Sequence, residues 1–343
     1  MKQARFFVAA ISVLFALAGS AQQALTAPLD ELVAAAKKEG TIEFYAPSTL
    51  TPQGAQALAE SFNKKYGLSI RLGYHAAGSM SRDAGKVASH AAAGMPPEWD
   101  LMVMTDGTHV TLWLRKLHQP FDYAKLAVDQ KSIQFDNGTV ILANQFVLPA
   151  YNSKVLAPKE VPKSWEDLLD PKWKGGKLGV TTSVHHLARL ATAWGEEKAT
   201  KYIKALAGQK PYLGQQGEIY TRLLLGEILV AVTLTDSFVH QAKVTGAPIV
   251  HSEGITPVLS PAYNAGVLRG ARHPNVGHLF AAFLTITEAQ EIWEKYGGQT
   301  SAFVPGTLAY KYAQGKKVVY MTQDQAEMVD RLIGEYGKIL GFK

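Results

Sequence analysis

Short apolar strands that pass through small, hydroxyl-bearing loops into helix-forming segments constrain this chain more than any other feature. Residues 41–46 (TIEFYA) read as a strand, Pro47-Ser48-Thr49-Leu50 as its loop, and Thr51-Pro52 as a helix N-cap followed by proline in the first turn. Residues 69–74 (SIRLGY) read as a second strand, with loop Ala77-Gly78-Ser79-Met80-Ser81 and a helix from Ser81. Residues 100–104 (DLMVM) read as a third, followed by Thr105-Asp106-Gly107-Thr108. Such alternation predicts an α/β architecture with mostly parallel sheets. In open α/β sheets the loops at the carboxyl ends of the strands line a crevice. Helix N-termini there present unpaired N–H groups and a positive dipole end, which suits anions and other acceptors. For any one Ser or Thr ordinary helix capping is the better reading; three such loops in one domain, with a fourth at Thr181 to Ser183, carry the signal.

The pattern recurs further along. Residues 146–152 read as a strand, and a Lys-, Pro- and Trp-rich stretch follows over 158–180. Gly179-Val180-Thr181-Thr182-Ser183-Val184-His185-His186 then runs from an apolar strand through three hydroxyls into helices over 186–194 and 197–206. Strands are expected at 229–234, 247–250 and 265–268, and helices over 275–284 and 323–340.

A length of 343 residues suits two domains. With no cysteine there is no disulfide, thiolate metal site or cysteine nucleophile. Lys2 and Arg5, the apolar run Phe6–Ala18, and Gly19-Ser20-Ala21 form a secretory signal layout, with cleavage expected between Ala21 and Ala27. No second run is long enough to span a bilayer, so a soluble exported protein is expected. The formal charge is +6, of which Lys2 and Arg5 supply two, and no Lys/Arg run marks a nucleic-acid face.

HExxH, GxSxG, P-loop and dinucleotide fingerprints are all missing, which argues against an enzyme. Ser183 beside His185 and His186 would need a third, orienting group to act as a hydrolase. Adjacent helical residues point about 100° apart, so the histidine pair is a poor metal site; one buried and one exposed ring is the expected use. His273 and His278 read as surface or capping residues. Arg82 suits bidentate recognition of a carboxylate or phosphonate, or is simply a solvated first-turn arginine.

Several stretches resemble the extracellular solute-binding proteins of bacterial ABC importers, family 1, the branch with ferric-iron- and phosphonate-binding proteins. Tyr151-Asn152-Ser153-Lys154 resembles the family's crossover turn, and residues 162–175 (PKSWEDLLDPKWKG) resemble its Trp-rich segment almost throughout. Gly266-Val267, Ala271 to Asn275, Ala282 to Leu284 and Glu288 to Glu291 resemble the segments that follow. The resemblance implies a type II periplasmic-binding-protein fold: two α/β lobes joined by crossing strands and closing on a ligand. Lobe one would be residues 28–145 plus 264–343, and lobe two residues 146–263.

Iron binders of that branch use a histidine after the first strand and adjacent tyrosines in the second lobe. Here Ala46-Pro47-Ser48-Thr49 and Thr233 to Val239 carry neither, although Asp236 and His185 could join some other metal site. The expectation is therefore a periplasmic receptor for a small organic anion: a phosphonate, sugar phosphate or carboxylate. Ferric iron and a periplasmic hydrolase are the alternatives. Ser48, Thr49, Gly78, Ser79, Arg82, Asp106, Thr182, Ser183, His185, Ser237 and Tyr263 are the candidate ligand contacts, Tyr263 either closing over the ligand or filling the hinge. No cofactor, catalytic residue or structural metal is expected. The partners implied are a membrane permease and its ATPase, with the receptor itself a monomer.

Overall fold

The first of two sheets contains β1 (Thr41–Pro47), β2 (Arg71–Ala77), β3 (Leu101–Thr105), β4 (Ile133–Gln134) and β5 (Thr139–Asn144). The second contains β6 (Val147–Asn152), β7 (Leu178–Thr181), β8 (Tyr212–Gly214), β9 (Val230–Thr235), β10 (Ile249–His251) and β11 (Val258–Ser260). The chain then returns to the first sheet as β12 (Ala262–Val267) and to the second as β13 (Val318–Tyr320). The orders are β2-β1-β3-β12-β5-β4 and β13-β11-β6-β9-β7-β8, with β10 on β6. This computed structural model describes residues 29–342; the predicted signal segment lies outside them.

Both sheets are mixed. The strands that precede helices run parallel, β1 with β2 and β3, β7 with β8 and β9. β12 and β6, which follow crossings from the opposite sheet, enter antiparallel.

Each sheet has its own core. Ile42 and Phe44 alternate inward from β1 and are fully buried. Helix Pro274–Phe283 is apolar around most of its circumference, as a helix lodged in a core must be. Its Phe280 and Phe283 meet Phe62 edge-on at 5.0 and 5.4 Å. His278, expected at the surface, is instead buried, stacked on Phe121 and 3.0 Å from the Tyr123 hydroxyl through Nδ1. The apolar period of that helix outweighs the polarity of one residue. The second core holds Trp165, Leu168 and Trp173, delivered by two 3₁₀ turns, Glu166–Leu169 and Pro171–Trp173. Trp165 Nε1 donates to the Pro257 carbonyl at 2.9 Å, so the Trp-rich motif staples the lobe together.

The chain crosses between sheets near residues 144–147, 260–262 and 300–302. Asn144 touches all three crossings. Its N–H donates to the Thr300 carbonyl at 2.8 Å, its Nδ2 to Ser260 Oγ at 3.3 Å, and its Oδ1 accepts the Ala302 N–H at 2.8 Å. The third crossing corrects the expected boundary at the C-terminal end. β13 pairs with β11, and Val329, Leu332, Tyr336 and Leu340 of helix Ala326–Leu340 join the second core. An apolar stripe shows that a helix packs, not which of two cores receives it.

Candidate ligand-binding cleft

Register brings the loops singled out in the sequence to two facing edges. Pro47 at the end of β1 lies opposite Ala77 at the end of β2. Tyr263, just past a crossing, lies opposite Thr105 at the end of β3. Ser48-Thr49, Gly78-Ser79, Asp106 and Tyr263 therefore share one edge of the first sheet. In the second sheet Thr181 pairs with Gly214, and Thr235 with Val147, just past another crossing. Thr182-Ser183 and Asp236-Ser237 follow directly. Because both edges adjoin the crossing strands, the carboxyl ends of the two parallel runs border one cleft.

Helix starts along this cleft are short of side-chain caps. Ser79, Thr105 and Thr235 stand at the N-caps of helices Met80–Ala92, Asp106–Trp113 and Asp236–Thr245, and none accepts a capping bond. Side-chain caps are also absent from helices elsewhere, Glu196–Gly208, Pro274–Phe283 and Thr287–Gly297 among them, whereas Thr307 caps Tyr310 and Thr322 completes a capping box. Part of each first turn is nonetheless occupied: the Gly107 N–H donates to Asp106 Oδ1 at 2.7 Å and the Asp236 N–H to the Phe146 carbonyl at 2.8 Å, so only the remaining amides are open to an acceptor from outside. Thr51 is the exception: its Oγ1 accepts the Gly54 N–H at 3.3 Å, as the sequence predicted. It does so at φ 62° and ψ 157°, a region nearly reserved for glycine.

On the first lobe Ser48, Thr49, Gly78 and Ser79 are exposed. Arg82 is 74% exposed, with Nε 3.6 Å from Asp83 Oδ1. Asp83 Oδ2 accepts from the Tyr45 hydroxyl at 2.7 Å and from the Ser79 N–H at 3.3 Å. A methyl group on Gly78 would stand 3.2 Å from Arg82 Nη2, so glycine leaves the guanidinium room over the loop.

On the second lobe the hydroxyls are linked. Thr182 Oγ1 donates to Gln215 Oε1 at 2.9 Å, and Gln216 Nε2 donates to Ser183 Oγ at 3.5 Å. Gln216 Oε1 accepts from Thr235 Oγ1 at 3.3 Å, which lies 2.8 Å from Ser237 Oγ. The two glutamines and Thr235 were not singled out in the sequence; one amide per helix start carries no pattern.

Asp106 and His185 meet through a residue that sequence reasoning missed. Arg189 Nη2 bonds both carboxylate oxygens of Asp106, and its Nη1 donates to the His185 carbonyl at 3.2 Å. The Ala262 N–H reaches Asp106 Oδ2 at 3.3 Å. Asp106 thus presents a neutralised carboxylate. His185 is partly exposed and His186 buried, the expected division. Burial, then the Arg189 charge, lowers His185 to about 4, so its ring is neutral near pH 7. A single charged residue within the helical run 187–194 was the available signal for Arg189.

Asp236 heads its helix, its N–H donating to the Phe146 carbonyl at 2.8 Å. Its Oδ1 is buried without a partner, and burial raises the carboxyl to about 7 against the pull of the Phe146 and Ser237 amides. Tyr263 is raised first by burial and then by the Asp236 charge. Asp236 lines a 420 Å³ pocket between the lobes, with Ser237, Asn144, Phe146, Thr300 and Tyr312.

Residues 42–299 match the model of a family described as bacterial extracellular solute-binding protein. An uncharacterized protein of Haemophilus influenzae is 30% identical over 151 residues, 41% of this chain and 42% of that protein, so the match spans well under half of the relative. Among solved structures, iron-bound HitA from Pseudomonas aeruginosa is similar at a TM-score of 0.66 and 19% identity, over 86% of this chain and 99% of that one. Trichodesmium IdiA (FutA) in complex with iron and citrate gives 0.69 and 19%, over 89% and 100%. AfuA from Actinobacillus pleuropneumoniae, with exogenous fructose-6-phosphate bound, gives 0.66 and 20%, over 89% and 99%. At these identities the likeness establishes the two-lobed fold.

Proposed function

Because the chain belongs to the bacterial extracellular solute-binding proteins, we propose that it is the periplasmic receptor of an ABC importer, holding a small organic anion in the interlobe cleft. The observation that carries this reading is the set of uncapped helix starts at the facing strand ends. Their free amides supply donors and a positive dipole end, and at the Asp106 helix start the buried Arg189 offsets the first-turn carboxylate. Arg82 adds a mobile positive charge at the rim, and Thr182, Ser183 and Ser237 add hydroxyls from the opposite side. A phosphonate, sugar phosphate or carboxylate bridging both edges would favour the closed arrangement, since only the closed lobes contact it together. The receptor releases its ligand unchanged to a membrane permease coupled to an ATPase, and acts as a monomer.

A thermal-shift screen of phosphonates, sugar phosphates, carboxylates and ferric salts tests this. A ligand at about a hundred times its Kd stabilises the fold by about 2.7 kcal/mol, which is readily visible. Failure of every anion to raise the melting temperature would end the reading, and turnover of any of them would make the protein an enzyme. Ferric iron is the second reading. Asp236 carries charge close to both the Tyr263 and Tyr312 phenols, and hard oxygen donors of that kind suit ferric iron. Iron alone shifting the melting temperature, with a coloured complex, would select it.

A further inference from the structure

The interlobe pocket lined by Asp236 holds two orphaned polar groups. Asp236 Oδ1 and the Tyr312 hydroxyl are both buried and neither has a hydrogen-bond partner. Most buried polar atoms are paired, and leaving one orphaned forfeits its solvation without replacing it. Two orphans on one pocket wall, drawn from different segments of the chain, therefore need an explanation. Tyr312 comes from helix Leu308–Ala313, beyond the third crossing, and its ring packs on Phe146 at 4.4 Å between centroids. Asp236 comes from the end of β9, so the pocket closes only when these segments and the hinge are together.

The location is continuous with the ligand grip. Ser237, on the pocket wall, is 2.8 Å from Thr235 Oγ1, and the chain of bonds runs on through Gln216 to Ser183. The chemistry differs from the uncapped helix starts. Three carboxyls, Asp236, Glu253 and Glu294, line the pocket against one lysine, Lys243, with His240 and His251 beside them. An anionic group would be repelled there once Asp236 ionised. A hydroxyl suits it, because it donates to a carboxylate oxygen and accepts from a phenol at once.

We infer that this pocket is a specificity subsite for the hydroxylated, uncharged part of the ligand, gripped by Asp236 and Tyr312 while the anionic end lies at the Met80–Ala92 helix start beside Arg82. This rests on the anion reading above and narrows it to hydroxylated anions. Burial raises the carboxyl to about 7, so at neutral pH about half of it stays protonated, which lowers the charge a neutral partner meets.

The test is calorimetric titration of the mature chain with two matched pairs: gluconate against hexanoate, and glycerol 3-phosphate against propyl phosphate. Sorbitol and ferric citrate serve as further arms. In at least one pair the hydroxylated member should bind about tenfold or more tightly than its deoxy partner. Tyr312→Phe, nearly isosteric, and Asp236→Asn should both erase that preference, Tyr312→Phe by weakening the hydroxylated member of the pair. Equal binding within both pairs, or equal weakening of both members by Tyr312→Phe, would overturn the subsite. Binding of sorbitol but of no anion, weakened by Tyr312→Phe, would end the anion reading and support the subsite. Binding of ferric citrate alone, or of nothing, would end both.

Discussion

Arg189 of the second lobe bonds both carboxylate oxygens of Asp106 at a helix start of the first lobe, and neither side chain is more than 1% exposed. A buried pair is weak as a net stabiliser but costly to break from one side. Arg189→Met or Asp106→Leu alone should lower the unfolding free energy by about 3–5 kcal/mol, and the double variant should recover most of it. Denaturant unfolding of the four proteins measures this. Additive losses would mean that the two groups do not depend on each other.

Thr51→Gly should stabilise the protein. The native φ of 62° with ψ of 157° costs a side-chain-bearing residue about 1–3 kcal/mol. Glycine removes that strain, loses only a few tenths at a cap, and adds unfolded-state entropy. A net gain of about 1 kcal/mol is expected in the same unfolding assay; a loss would show that the cap bond to Gly54 outweighs the strain.

Acidification should destabilise the fold through its buried and partly buried histidines. Burial lowers His109, His185 and His278 to about 4, and lowers His118, His186 and His251 as well. Between about pH 6.5 and 4 the unfolded chain binds more protons at these rings than the native one, so stability falls as the pH falls. Asp236 opposes this. Raised to about 7, it makes the native chain the better proton binder between about pH 4 and 7, so its contribution declines as pH rises. Melting curves across pH 4–8 should therefore show Asp236→Asn gaining more, relative to wild type, at pH 8 than at pH 5. A constant offset across the range would contradict the raised carboxyl.

Arg82→Gln should weaken anion binding by about tenfold and flatten its salt dependence, since a rim charge acts through solvent. With 74% of its side chain exposed, Arg82 should contribute little to stability, so the melting temperature of the ligand-free protein should move little. Unchanged affinity would leave it the solvated first-turn residue of the bland reading.

The strand-to-helix alternation was legible because each parallel strand is a short apolar run ended by Gly, Ser or Thr. Observed β1 and β3 lie within a residue of expectation at each end. β2 starts two residues later and ends three later than expected, at Ala77, because pairing with β1 up to Pro47 carries the small residues into the sheet. The run read as helix over 186–194 is two shorter helices meeting at Arg189, where the bonds tighten to i→i−3: the Arg189 N–H donates to the His186 carbonyl and the Thr192 N–H to the Arg189 carbonyl. The site divided along similar lines. Loop hydroxyls can be placed from strand ends alone. Arg189, Gln216 and Tyr312 acquire their roles only through contacts 19 to 83 residues away, or through a pocket assembled from three crossings, and no local period records that.

Asn144 fastens three strands of chain side by side where the two halves join. A pair of tethers can be wrung like a ribbon, but a row of three resists torsion and yields chiefly to bending across its width. The halves are thus guided along one swing, and fluorophores on the exposed faces of helices Thr51–Tyr66 and Ala326–Leu340 would report it as a single distance.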